Sequence, residues 1–229
     1  MQADFSVELG GDAPALEIPW RSNDPRVRYY DLKIHPELVL QIPEAVAYPE
    51  LGLFLSRINA AGFPLATAKC DAWPSSEVAP EEQIFGDRKF VSYVDLIFVN
   101  EKDRCSFEKN EAFAKELCRL LGHAPEIAAT VELVIRHCYC QQGQIVSNNC
   151  PEPPPAKSRI GPLGKRGNAQ LERKAHWERP NASVTAFCLT IYVIGFGDSD
   201  HDPVRRWTVG LNLLQHAIVQ LSSNSQPKP

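Results

Sequence analysis

Lys89–Asn100 reads KFVSYVDLIFVN, the longest β-branched and aromatic run in the chain. Val, Ile, Tyr and Phe fit a pleated, half-buried surface, so the stretch predicts a central strand of a sheet. Side chains alternate across a strand. Phe90, Val94, Leu96 and Phe98 therefore share one face, and Val91, Tyr93, Asp95 and Ile97 share the other. The first set is wholly apolar and the second mixed, so the sheet has one face on a core and one of different chemistry.

Working outward, Leu65–Trp73 (LATAKCDAW) predicts a strand closed by Pro74, and Thr130–Cys140 and Ser183–Ile194 predict two more. Tyr29–Ile34 predicts the first strand of the set, ended by His35-Pro36. Tyr29-Tyr30-Asp31-Leu32 faintly echoes Tyr93-Val94-Asp95-Leu96, but four letters carry no argument for duplication. Leu51, Phe54, Leu55 and Ile58 recur at helical spacing behind Pro49, which suits a first helical position, and Gly62 follows as a stop. A second helix is expected from about Asn110 to Leu121, with Phe113, Leu117, Leu120 and Leu121 on one side. The last begins at Asp202-Pro203 and carries Val204, Trp207, Leu211, Leu214, Ile218 and Leu221 as an amphipathic stripe.

That order predicts an α+β fold, a two-layer sandwich. Its core would be ferredoxin-like, β-α-β-β-α-β, with an added β-α, a mostly antiparallel sheet and helices on one face. Residues 1–28 read as an irregular N-terminal arm, because Gly10, Gly11, Pro14 and Pro19 interrupt them. Residues 29–222 form a single α+β domain with a long basic insertion, 141–182, rich in Pro and Gly, and 223–229 form a frayed tail.

Carried through all four strands, alternation turns Tyr30, Leu32, Ile34, Ala66, Ala68, Cys70, Ala72, Val131, Leu133 and Ile135 inward. The outer face then receives Tyr29, Asp31, Lys33, Thr67, Lys69, Asp71, Tyr93, Asp95, Glu132 and Arg136. Facing opposite charges across strands stabilise a wet sheet modestly. Aromatic residues among those charges, with Val91, Ile97 and Val134, are what a binding patch or subunit contact shows. The leading expectation is a non-enzymatic binding or assembly module using this face, with a protein partner or a second copy of the chain. The alternative is a small-molecule enzyme, since neighbouring Asp and Lys groups can shift each other's pKa toward proton transfer. No spacing specifies a reaction.

The insertion holds seven basic and three acidic residues, a net +4, so the rest of a chain of formal charge −4 carries −8. Lys165, Arg166, Arg173 and Lys174 beside Trp177 would suit nucleic-acid contact, a cation with a stacking ring. No nucleic-acid motif accompanies them, so docking of the insertion on its own acidic body is the favoured explanation of the division.

Metal and cofactor signals are weak. Cys138 and Cys140 fall on one side and His137 on the other, unlike a paired C-x-x-C zinc site. Asp198-x-Asp200-x-Asp202 opens like a calcium loop, but Pro203 replaces the glycine and Val209 the closing glutamate. Gly195-x-Gly197 lacks the third glycine of a phosphate cradle. No metal and no cofactor is expected. Seven cysteines, no secretory pattern in the opening residues and no apolar run of about 18–20 residues point to a cytoplasmic protein without a membrane partner.

Overall fold

A computed structural model describes residues 1–22, 24, 28–141 and 183–224. It is an α+β architecture, a mixed sheet of six strands with five helices. The strands are β1 (Gln2–Glu8), β2 (Leu16–Ile18), β3 (Leu65–Ser75), β4 (Arg88–Phe98), β5 (Ala129–Gln141) and β6 (Ser183–Gly197). The helices are α1 (Pro43–Ala47), α2 (Pro49–Ile58), α3 (Glu101–Cys105), α4 (Phe107–Leu121) and α5 (Asp202–Asn224).

Strand order is β1-β5-β6-β4-β3, with β2 also on β5. β1 and β2 run parallel to β5, and the remaining pairs are antiparallel. This is not the ferredoxin-like order. Two corrections to the sequence reading account for the difference. Tyr29–Ile34 is not a strand: Asp31 accepts the backbone N–H groups of Lys33 and Ile34 through its side chain and bends the chain into a turn. The central place expected for it, between β5 and β4, is taken by β6, and the N-terminal segment expected to be irregular forms the edge beside β5. Gln2–Glu8 lies against Thr130–Arg136 and Leu16–Ile18 against Cys138–Cys140.

The helices form where the apolar stripes lie. Pro49 opens α2, which buries Leu51, Phe54, Leu55 and Ile58. α4 starts earlier than its apolar stripe implies because Ser106 caps it, accepting from the Lys109 N–H. α5 buries Trp207, Leu211, Leu214 and Ile218. These residues join Phe90, Val94, Leu96, Val131, Leu133 and Ile191 in one apolar cluster, the largest among the described residues. Trp207 is fully buried, packed edge-on against Phe90 at 4.8 Å, and its indole N–H reaches Ser92 at 2.7 Å. That contact needs Gly195. A Cβ there would stand 2.2 Å from the Pro203 carbonyl oxygen and 2.4 Å from the Trp207 nitrogen, so α5 lies directly on the β6 backbone.

β3 contains the feature that sets the site. Its register on β4 slips between Thr67 and Lys69, a bulge with Ala68 as the extra residue. Parity therefore changes within the strand. Cys70 and Ala72 face the helices as expected, while Ala66 and Ala68 pack in a second cluster on the opposite face. Thr67, expected outward, turns to the helical side and bonds to Asn59 at the end of α2.

Candidate functional site

On the face away from the helices, the register draws two rows of side chains across the sheet. One runs Lys69, Asp95, Thr190, Val134, Ser6 and the next Asp71, Tyr93, Tyr192, Glu132, Asp4, over β3, β4, β6, β5 and β1. Arg136, beside Cys188 on β6 and Glu8 on β1, completes the polar zone. Six of the residues read from alternation, Lys69, Asp71, Tyr93, Asp95, Glu132 and Arg136, thus share this face.

The zone is not uniformly wet. At one end it is closed by Ile18, Ala66, Ala68, Ile97, Cys138 and Cys188, with Tyr29 packed on them. At the other, Val91, Ile194 and Phe196 meet Phe85 from the loop before β4. Between these ends Asp95 is only 6% exposed. The Thr190 hydroxyl donates to it at 2.5 Å. Burial pushes the Asp95 carboxyl above its ordinary range, partly offset by that bond and by the charges of Lys69 and Arg136.

Aromatic rings and cations alternate over it. The Lys69 ammonium lies 5.7 Å from the Trp20 ring and 5.9 Å from that of Tyr93. Tyr93 contacts Trp73 at 6.2 Å and Tyr192 at 5.9 Å. The Arg136 guanidinium sits 5.9 Å from the Tyr192 ring and pairs with Glu8 at 2.9 Å. Trp20 is fixed by its indole N–H, which donates to the Ala68 carbonyl at 2.8 Å, so the bulge residue anchors one end of the strip. Beside it a cavity of about 330 Å³ is lined by Trp20, Tyr30, Lys69, Cys70, Asp71 and Tyr93 among others.

Two of the sequence-read residues lie elsewhere. Asp31 holds its own turn, and Lys33 donates to the carbonyls of Ile58, Ala60 and Phe63 at 3.2, 3.0 and 2.8 Å, capping the end of α2. Burial lowers the Lys33 amine to about 8, against the opposing pull of Asp31. Sequence reasoning missed Trp20, Trp73, Thr190 and Tyr192. For Thr190 and Tyr192 the signal was available, since the alternation used on the other strands also runs through β6.

Burial raises the Tyr93 hydroxyl, with Asp95 and Asp71 adding to it, and raises the Cys70 thiol to about 12. The Cys140 thiol is lowered by a bond from the Cys138 thiol, with burial opposing this and the nearby Arg104 charge assisting it. It is buried in the apolar end with Cys138 and Cys188. His137 faces the other way and stacks on Phe187. Among the described residues no group of three or more His, Cys, Asp or Glu is placed to hold a metal ion. Asp200 pairs with Arg88, and Asp202 with Ser199 and Arg205. Lys165, Arg166, Arg173, Lys174 and Trp177 lie outside the described residues, as do 225–229 of the expected tail. No described helix is long and apolar enough to cross a membrane.

No protein-family model, curated protein or solved structure matches the chain.

Proposed function

We propose that the protein is a non-catalytic binding and assembly module, and that its recognition surface is the strip of Trp20, Lys69, Trp73, Tyr93, Tyr192 and Arg136. The observation that carries this reading is the interleaving of rings and cations across four neighbouring strands, β3, β4, β6 and β5. Tyr, Trp and Arg are the residues enriched where interfaces concentrate their binding energy. Trp73, at 37% exposed on the edge strand β3, leaves a large apolar ring in contact with water beside the polar zone. The partner with the simplest requirement is a second copy of the chain, because a strip of alternating ring, cation and carboxylate is self-complementary about a two-fold axis.

Sedimentation velocity over a range of concentrations tests it. The wild-type chain is expected to shift toward a dimer as concentration rises, and Trp73→Ala and Lys69→Glu to abolish the shift with unchanged circular dichroism and melting. A wild-type monomer at every concentration would refute the assembly.

A second reading, a small-molecule enzyme, is favoured by the 330 Å³ cavity and the burial of Asp95. It is weaker because the Tyr93 and Cys70 groups are shifted away from neutral pH.

A further inference from the structure

A separate cavity of about 540 Å³ lies toward the β1 edge of the same face, between β1, β5 and the turn Gln83–Phe85. Its lining includes Asp4, Glu81, Glu82 and Glu132, and no Lys, Arg or His among the described residues. Only Glu82 is neutralised there, by Lys89 at 2.9 Å. Asp4 and Glu132 stand directly opposite each other on paired strands. Like charges in that position destabilise a sheet. Burial lifts the Glu132 carboxyl above its usual range, the charges of Glu82 and Asp4 add to this, and Lys89 opposes it. The protein therefore holds negative charge here that its own cations do not balance.

Two further features point to what would balance it. One wall is aromatic: the Phe85 and Phe196 rings lie 5.5 Å apart, and Ile84 stands at the cavity 82% exposed. The Thr130 hydroxyl, on the same lining, is buried without a hydrogen-bond partner. A bare metal ion has no use for rings and aliphatic groups, whereas a cation attached to an apolar body uses both. We propose that this cavity binds a small organic cation, an amine or quaternary ammonium with an apolar substituent. The charged head sits between Asp4 and Glu132, where it relieves their repulsion. The apolar part lies on Phe85, Phe196 and Ile84.

The site is independent of the aromatic strip, so the two readings fail separately. Isothermal titration of the full chain with benzyltrimethylammonium chloride at low ionic strength, beside the neutral benzyl alcohol, tests it. The expected result is saturable one-to-one binding of the cation alone, weakened roughly tenfold by Glu132→Gln through loss of one close charge. Phe85→Leu is expected to weaken it several-fold, and Trp73→Ala to leave it unchanged. Should Glu132→Gln not fold, Asp4→Asn on the edge strand repeats the comparison. No saturation up to about 10 mM, a range that covers even very weak sites, overturns the proposal. So does equal binding of benzyl alcohol, or an affinity unchanged by removing either carboxylate.

Discussion

Asn59→Ala tests whether the β3 bulge, and with it the placement of Lys69 and Asp71, is held from the helical side. Asn59 is 3% exposed. Its amide donates to the Leu55 carbonyl at 2.8 Å and the Thr67 hydroxyl at 2.7 Å, and its oxygen accepts from the Thr67 N–H at 3.1 Å. The Leu55 carbonyl keeps a partner after truncation, because it also accepts from the Asn59 backbone N–H. Thr67 does not: its N–H and its hydroxyl lose these bonds at a residue only 6% exposed. A buried group left unsatisfied costs about 1–3 kcal/mol, so the two together give an expected loss of about 3 kcal/mol. In urea, with a slope of about 2–3 kcal/mol/M, the midpoint falls by about 1–1.5 M at unchanged slope. Thr67→Val, which removes only the hydroxyl, is expected to cost about 1 kcal/mol. The double variant is expected to cost clearly less than the two added, since both remove the same bond. A loss for Asn59→Ala below about 1 kcal/mol, or full additivity, would refute the claim that this contact holds the bulge.

Asp95→Asn keeps an acceptor for Thr190 and removes the buried charge. The native carboxyl titrates above its unfolded value, so across that interval the folded chain binds the extra proton and wild-type stability falls as pH rises. The variant is expected to be the more stable at about pH 7 and to lose that advantage toward about pH 4; melting curves showing a pH-independent difference would refute this. Gly195→Ala drives a methyl into the backbone of α5 and is expected to cost about 3 kcal/mol or more, or to prevent folding. A soluble variant with a wild-type melting point would show that α5 does not lie against β6. Ser92→Ala leaves the buried Trp207 indole N–H unpaired and is expected to cost about 1–3 kcal/mol in urea unfolding. A neutral result would mean that the hydroxyl is not its partner.

The strands and helices with a clear period were legible. Lys89–Phe98 reads correctly to the residue face, though the strand ends there and Asn100 caps α3, and so do Thr130–Arg136 and the buried stripes of α2 and α5, because burial imposes the alternation. β1 carried the same signal, with Ala3, Phe5 and Val7 alternating with Asp4, Ser6 and Glu8, but Gly10, Gly11 and Pro14 drew attention to the breaks around it. Tyr29–Leu32 misled for the opposite reason: its composition suits a strand, and Asp31 turns it. The bulge had no readable cue, since Ala66 and Ala68 are small enough for either face. The burial of Asp95 was hidden too, because alternation gives the face of a residue and not what Lys69, Arg136 and the tyrosines lay over it. Lys33 could equally cap a helix or face a ligand, and only three-dimensional proximity to Ile58–Phe63 decides between them.

The position of β6 has a consequence for biosynthesis. It is the last of the described strands, yet it lies between β5 and β4. A nascent polypeptide can zip β1 and β2 onto β5, and β3 onto β4, while the residues after Gln141 are still inside or near the ribosome. What it holds then is two half-sheets, each with an unpaired edge where β6 will go. Those edges wait through the synthesis of the whole insertion and are templates for intermolecular pairing until Ser183–Gly197 emerges and joins them.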